Sequence, residues 1–232
     1  MPVGHRSQER RLVGSVPTWA LMLVAVLLGT GVGVPALLDG GSGALLASCG
    51  VDRPAACQKA VLRAVDAARA REGVRPLRLP ADYGALTVPQ QLLVLADRER
   101  RDRGLPGFTG LSAALDARAL AGARADRDPL GPPGTSWGSN WAGGHVSALL
   151  ADFDWVYDDG PGSSNLECTG VTRAGCWVHR ANVLGRYGPR PSMGAAFATV
   201  RGRASYTVLF SSAPSGALDY RMPRAAGGPA SG

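Results

Sequence analysis

The feature that most constrains this chain lies at its start. From Leu12 to Leu38 there is no charged residue, a run of 27 positions. Arg6, Arg10 and Arg11 stand before the run and Asp39 ends it. About 20 apolar residues suffice for a membrane-spanning helix, and a basic flank stays on the cytoplasmic side. Residues 1–48 therefore read as an export segment with a short linker, and the rest of the chain is expected to be extracytoplasmic. Two readings stand for the run. One is a cleaved signal peptide; the other is a retained single-pass anchor through residues 12–38. The length of the run favours the anchor. Pro35 and the small residues at Ser42–Ala44 and Ala47 favour cleavage.

The cysteines agree with export. There are four, Cys49, Cys57, Cys168 and Cys176, and disulfides persist in oxidising compartments. Cys49 and Cys57 are eight positions apart, as are Cys168 and Cys176. Of the connectivities open to four cysteines, these two local pairs are expected. No pair has the gap of about two to four residues usual for zinc thiolates, so no cysteine metal site is expected. Leu46-Ala47-Ser48-Cys49 also resembles a bacterial lipobox, which makes a lipid on Cys49 a third mode of attachment. A lipidated Cys49 has no sulfur left for Cys57.

The residues after the export segment are enough for one domain with a real core. The net charge is +7; residues 1–48 carry three arginines and two acids, leaving +6 for the remainder. That surplus suits an anionic envelope component such as a wall polymer or lipid headgroups. Lys59 is the only lysine, in a chain rich in Arg, Ala, Gly and Pro, so coding bias accounts for much of the charge. Most of the arginines alternate with Asp or Glu, which leaves no basic stripe for nucleic acid.

Hydrophobic spacing predicts helices first and strands last. Val61, Leu62, Val65 and Ala68 recur at helical spacing over 57–72. Thr87 with Gln90 forms a capping-box pattern, and Pro89 suits a first turn, so a helix is expected over 88–103. A second is expected from Ser112 to about Asp126, a third over 145–158, and a short one over 177–184. The Gly/Pro-rich stretch 129–144 reads as an ordered loop carrying Trp137 and Trp141. Residues 193–200 and 205–210 read as a hairpin, and 213–232 as a flexible tail. The fold class expected is α+β, with helices packed on a small antiparallel sheet.

Gly175-Cys176-Trp177-Val178-His179-Arg180-Ala181-Asn182-Val183-Leu184, followed by Met193-Gly194-Ala195-Ala196, resembles the bacterial members of the CAP superfamily (cysteine-rich secretory, antigen 5 and pathogenesis-related proteins, or SCP-like domains). Gly138-Ser139-Asn140 followed by Ala142-Gly143-Gly144 is similar to that family's Gly-Glu-Asn-x-Ala-x-Gly. The resemblance covers about 88–212, which makes 49–87 an N-terminal helical extension. It implies an α-β-α sandwich, usually secreted, with a cleft where two histidines and two acids can hold a divalent metal. His179 matches the second histidine. The segment Asp126–Thr135, where the first belongs, has none; Ser139 replaces one acid, and Asp152 and Asp154 are near misses for the other. With one of four ligands present, no family-type metal site and no cofactor are expected.

Two functions follow. The first is a non-catalytic envelope-binding or structural module, with His179, Ser139, Asn140 and Trp137 lining a degenerate cleft. The second is a cell-wall hydrolase using His179 as general base with a nearby carboxylate, Asp154 or Glu167. Against the second, His179 can simply pack in the cleft wall, and no Gly-x-Ser-x-Gly elbow is present. Cys176 is expected in a disulfide rather than as a nucleophile. His145 reads as a surface or cap residue, with a His145–His179–Glu167 metal triad as the sharper alternative. Asp152, Asp154, Asp158 and Asp159 read as a solvated acidic face, or with Glu167 as Ca²⁺ ligands. Trp137, Trp141, Trp155 and Trp177 read as packing residues, or as a glycan-stacking groove.

Overall fold

The computed structural model describes residues 45, 49, 54–168, 170 and 172–222. The apolar run 12–38 and the tail beyond 222 lie outside them. Among the described residues no helix is long and apolar enough to cross a membrane.

Helix α1, Pro54–Arg71, opens on a proline whose missing N–H costs nothing in a first turn. It buries Cys57, Val61, Val65 and Ala68, one side of a 3.6-residue period. Helix α2, Val88–Arg101, starts at the expected capping box: the Thr87 N–H donates to Gln90 Oε1 at 2.9 Å. Strand β1, Gly110–Ser112, leads directly into helix α3, Ala113–Arg124. Strand β2 is Trp137–Gly143. Helix α4, Ala148–Val156, is capped by Ser147, whose Oγ accepts the Leu150 N–H at 3.2 Å. Helix α5, Val178–Val183, and strands β3, Ser192–Val200, β4, Arg203–Ser211, and β5, Leu218–Arg221, complete the chain.

The strands form one sheet in the order β2-β4-β3-β1-β5. It is mixed, because β1 runs parallel to β3, where an antiparallel sheet was expected. Val200 pairs with Arg203, so the β3–β4 loop is the two residues Arg201 and Gly202. Both have positive φ, 50° and 77°, the conformation that matches the twist of a tight hairpin.

Alternation along the strands assigns the two faces. Gly194, Ala196 and Thr207 face α3: a Cβ at Gly194 would come within 2.3 Å of the Leu115 backbone, and Thr207 Oγ1 donates to the Ala119 carbonyl. Met193, Ala195, Val208 and Phe210 face the other way, into the main core with Leu92, Leu93 and Leu95 of α2 and Leu149 and Leu150 of α4. The result is a three-layer α-β-α sandwich, of the α+β class that the periodicity predicted and with the layering that the family resemblance implied.

Three segments depart from the sequence reading. Residues 137–143 are a strand rather than a loop, held by seven register pairs to β4. Residues 218–221 form the opposite edge strand, inside what read as a flexible tail. The acidic stretch is not a solvated face: Asp152 and Asp159 are buried. The expected disulfides, Cys49–Cys57 and Cys168–Cys176, are both present. Cys49 thus has its sulfur engaged, which removes the lipid reading.

Candidate metal centre

Helix α5 has no cap of its own. Its N-cap residue is Trp177, with φ 66° and no side-chain acceptor. The helix borrows one from the preceding loop. Asp159, fully buried, accepts the Arg180 N–H on Oδ2 at 2.9 Å and the Asn165 Nδ2 on Oδ1 at 2.7 Å. The same Oδ1 lies 2.7 Å from His179 Nδ1. A buried carboxylate at that distance accepts a hydrogen bond from Nδ1–H and leaves Nε2 to meet a ligand.

Two more acids converge on that imidazole. One ligand atom each from Asp128, Glu167 and His179 lie within 4.8 Å of one another. They come from three separate places: the loop after α3, the single-turn helix Leu166–Cys168, and α5. Asp128 reaches the free edge of the sheet, where β2 is the terminal strand and the Trp141 backbone N–H hydrogen-bonds its carboxylate. Its Oδ1 is buried without a hydrogen-bond partner among the described residues. Glu167 is exposed at the rim.

The electrostatics follow from this placement. Burial works against the His179 imidazolium, but the hydrogen bond and charge of Asp159, with Asp128 and Glu167 beyond, outweigh it and raise the pKa above the ordinary value. Burial pushes the Asp128 pKa up, and so does Glu167; His179 and the Trp141 N–H oppose both.

A clamp of two asparagines holds His179 against β2. Asn140 Nδ2 donates to the His179 carbonyl at 3.0 Å, and Asn182 Nδ2 donates to Asn140 Oδ1 at 3.0 Å and to the Ser139 carbonyl at 2.8 Å. Gly138 makes room for this contact, since a Cβ there would come within 2.6 Å of Asn182 Oδ1. Asn140 and Ser139, expected to line an open cleft, are therefore buried. Trp137 does stand exposed, at 42%.

Asp154 is not near His179 in this arrangement. Its Oδ2 lies 2.6 Å from His145 Nε2, so His145 belongs to a second pair, is mostly buried, and joins no triad with Glu167. Asp152 is buried beside Glu99, and its pKa is held well above the carboxylate range by burial first and that charge second. Trp141 and Trp155 are packing residues: their Nε1 groups donate to Ser205 Oγ and to the Trp141 carbonyl. The residues missed from the sequence were Asp128, Asp159 and Asn182 in their site roles.

No protein-family model matches the chain, and no curated protein matches it. A solved structure, a crystal structure of MpPR-1i soaked with selenourea, aligns with 61% of this chain and 99% of its own length at 16% identity, with a TM-score of 0.36. The architecture described above rests on the chain's own sheet and helices.

Proposed function

We propose that this chain is an exported CAP-like domain that binds a component of the bacterial envelope without catalysis, with a divalent cation held at its cleft by Asp128, Glu167 and His179. The observation that carries this reading is the convergence of two acids, Asp128 and Glu167, on a histidine whose other nitrogen is fixed by a buried carboxylate. The α-β-α sandwich and the His179-Arg-x-Asn segment on α5 support the family resemblance. Asp128 falls in the segment where that family carries its first histidine. The two disulfides suit an oxidising compartment.

The donor set fits a borderline divalent cation such as Zn²⁺, which accepts imidazole and carboxylate ligands together. The buried Asp128 Oδ1 without a partner is an acceptor that such an ion would satisfy. A bound cation would supply a positive pole with open positions for an oxygen ligand. The protein's part is preorganisation. Asp159 keeps the proton on Nδ1, the asparagine clamp holds the His179 backbone, and the Cys168–Cys176 bridge holds the loop that bears Glu167.

The second reading is a wall hydrolase. It is favoured by the Asp159–His179 pair, which has the geometry of an oriented general base. Asp159, Asp128 and Glu167, not Asp154, are the carboxylates beside His179.

Zn²⁺ titration of the intact chain by calorimetry tests the centre, with D128N, E167Q and H179A as controls. One-to-one binding that each variant weakens supports it; binding unchanged in H179A refutes it. Co-sedimentation with wall sacculi, with and without EDTA, tests the envelope role. Release of soluble wall fragments by the wild type but not by H179A would establish the hydrolase instead.

A further inference from the structure

The opposite side of α5 carries a different surface. At helical spacing Trp177, Arg180, Ala181 and Leu184 share one side, while His179 points the other way. Together with Arg71 and Glu72 at the end of α1 and Tyr157 after α4, that side encloses an open groove of 590 Å³. This is within the range of small-ligand sites.

Trp177 is the unusual residue in it. Its φ of 66° is strained for a bulky side chain, and glycine would meet that backbone requirement at no cost. The strain is held in place by the Trp177 N–H donating to the Asp159 carbonyl at 2.9 Å. The indole also lies against Gly160, where a Cβ would come within 2.3 Å of the ring. The product is an indole that is 46% exposed at the groove wall. Packing alone requires neither the strain nor the exposure.

The charge of the groove is one-sided. Among the described residues Glu72 is the one acid that lines it, and both Arg180 Nη2, at 2.8 Å, and Arg103 Nη2, at 2.7 Å, pair with it. Their hydrogen bonds overcome the cost of burial and hold the Glu72 pKa below its ordinary value, so it remains a carboxylate. Arg71 is exposed and has no ion pair among the described residues. The groove therefore keeps a positive surplus beside an aromatic face.

We propose that this groove is a binding site for a carboxylated glycan, with Trp177 as the stacking platform and Arg71 as the carboxylate partner. A sugar ring presents a C–H face to the indole. Its hydroxyls can donate to Glu72 and accept from Arg180. A guanidinium is the side chain best matched to a carboxylate. The inference deepens the envelope-binding reading by naming a ligand class, and it does not depend on the cation centre, so it is tested in EDTA.

The test uses the intact chain and ligand-observed NMR titration with N-acetylmuramic acid, N-acetylglucosamine and benzoate. The first two probes share a ring and differ in the carboxylate; the third has a carboxylate without a sugar. N-acetylmuramic acid is expected to bind saturably, at least about tenfold tighter than either of the others. R71Q is expected to remove the preference over N-acetylglucosamine. W177G is expected to weaken binding at least about tenfold while keeping or raising the melting temperature, because glycine relieves the positive φ. Equal binding of the two sugars, benzoate binding as tightly as the muramic probe, unchanged binding in W177G, or no saturation up to about 10 mM would overturn the proposal. Wall binding that survives in EDTA but is lost in W177G separates this groove from the cation centre.

Discussion

Replacing Asp159 with asparagine tests the keystone of the site. The buried carboxylate accepts from three donors: His179 Nδ1 at 2.7 Å, Asn165 Nδ2 at 2.7 Å and the Arg180 N–H at 2.9 Å. An asparagine can keep its oxygen where Oδ1 sits and serve the first two. Its amide nitrogen then meets the Arg180 N–H, donor against donor. Leaving one buried donor unsatisfied costs about 1–3 kcal/mol, and turning two charge-assisted bonds into neutral ones costs roughly 1 kcal/mol more. A total of about 3 kcal/mol corresponds to a fall in melting temperature of roughly 6–12 °C for a domain of this size. The pH dependence follows with a definite sign. The folded pKa of His179 is raised above its ordinary 6.5, so its stabilising contribution is complete below about 6.5 and is lost as pH rises through the folded value. In D159N the largest opponent of burial is gone, so the His179 pKa falls and that loss with rising pH flattens. Calorimetric melts across pH 5–9 and NMR titration of the His179 ring measure both effects. A melting temperature within about 2 °C of wild type, or an unchanged His179 titration, would refute the reasoning. If Zn²⁺ binds as proposed, D159N should weaken it about 10–100-fold, the usual consequence of losing a partner that orients a ligand.

Other perturbations separate the site from the fold. N140A removes both bonds of a fully buried amide and leaves the His179 carbonyl without that donor, which should cost about 2–3 kcal/mol in urea unfolding. Replacing Cys168 and Cys176 together by serine opens a short loop and should cost about 2–3 kcal/mol on the chain-entropy estimate, with a larger loss of cation affinity than N140A because Glu167 is the immediate neighbour of bridged Cys168. Asp116 has its pKa raised to about 7, by burial first and by Asp219 after it. The folded state therefore holds a proton between about pH 4 and 7 that the unfolded chain has released, and stability falls as pH rises through that window. Asp116→Asn mimics the protonated form, keeps the bond from the Ala195 N–H, and should flatten the slope. After allowance for solvent screening of the exposed Asp219, it should gain about 1–2 kcal/mol at pH 8 in denaturant melts.

Much of the sandwich could be read from the sequence because its helices and central hairpin carry their own signals. Thr87 with Gln90 marks the start of α2, and the alternation in 193–200 and 205–210 marks β3 and β4. The eight-residue cysteine spacings point to both bridges. Strand β2 carried no such signal. Trp-Gly-Ser-Asn-Trp-Ala-Gly is a poor strand former in isolation, and it is a strand because β4 offers it seven partners. Strand β5 is likewise created by pairing with β1. Asp128 was illegible because it sits in an aperiodic Gly/Pro-rich loop, where no spacing ties it to His179. Asp159 was misread because adjacent acids ordinarily mark a solvated loop. One local signal pointed the other way. A helix opening on Trp177 lacks a capping oxygen, so its first N–H groups must find an acceptor elsewhere.

That missing cap explains why the site is assembled as it is. The carboxylate that completes α5 is also the one that orients His179, so folding of the helix and positioning of the imidazole are one event. Glu167 is brought to it by its neighbour Cys168, which is bridged to Cys176 just ahead of α5, and Asp128 by a hydrogen bond from the free edge of β2. None of these three anchors is itself a member of the main hydrophobic core, which lies chiefly on α1, α2, α4 and the hairpin. The cluster can therefore be lost while the sandwich persists. Reduction of the bridge should accordingly release amide protection over 159–177 well before it does so in β3 and β4. If protection in both regions fell together, the site and the core would be a single cooperative unit, and the cluster could not be lost on its own.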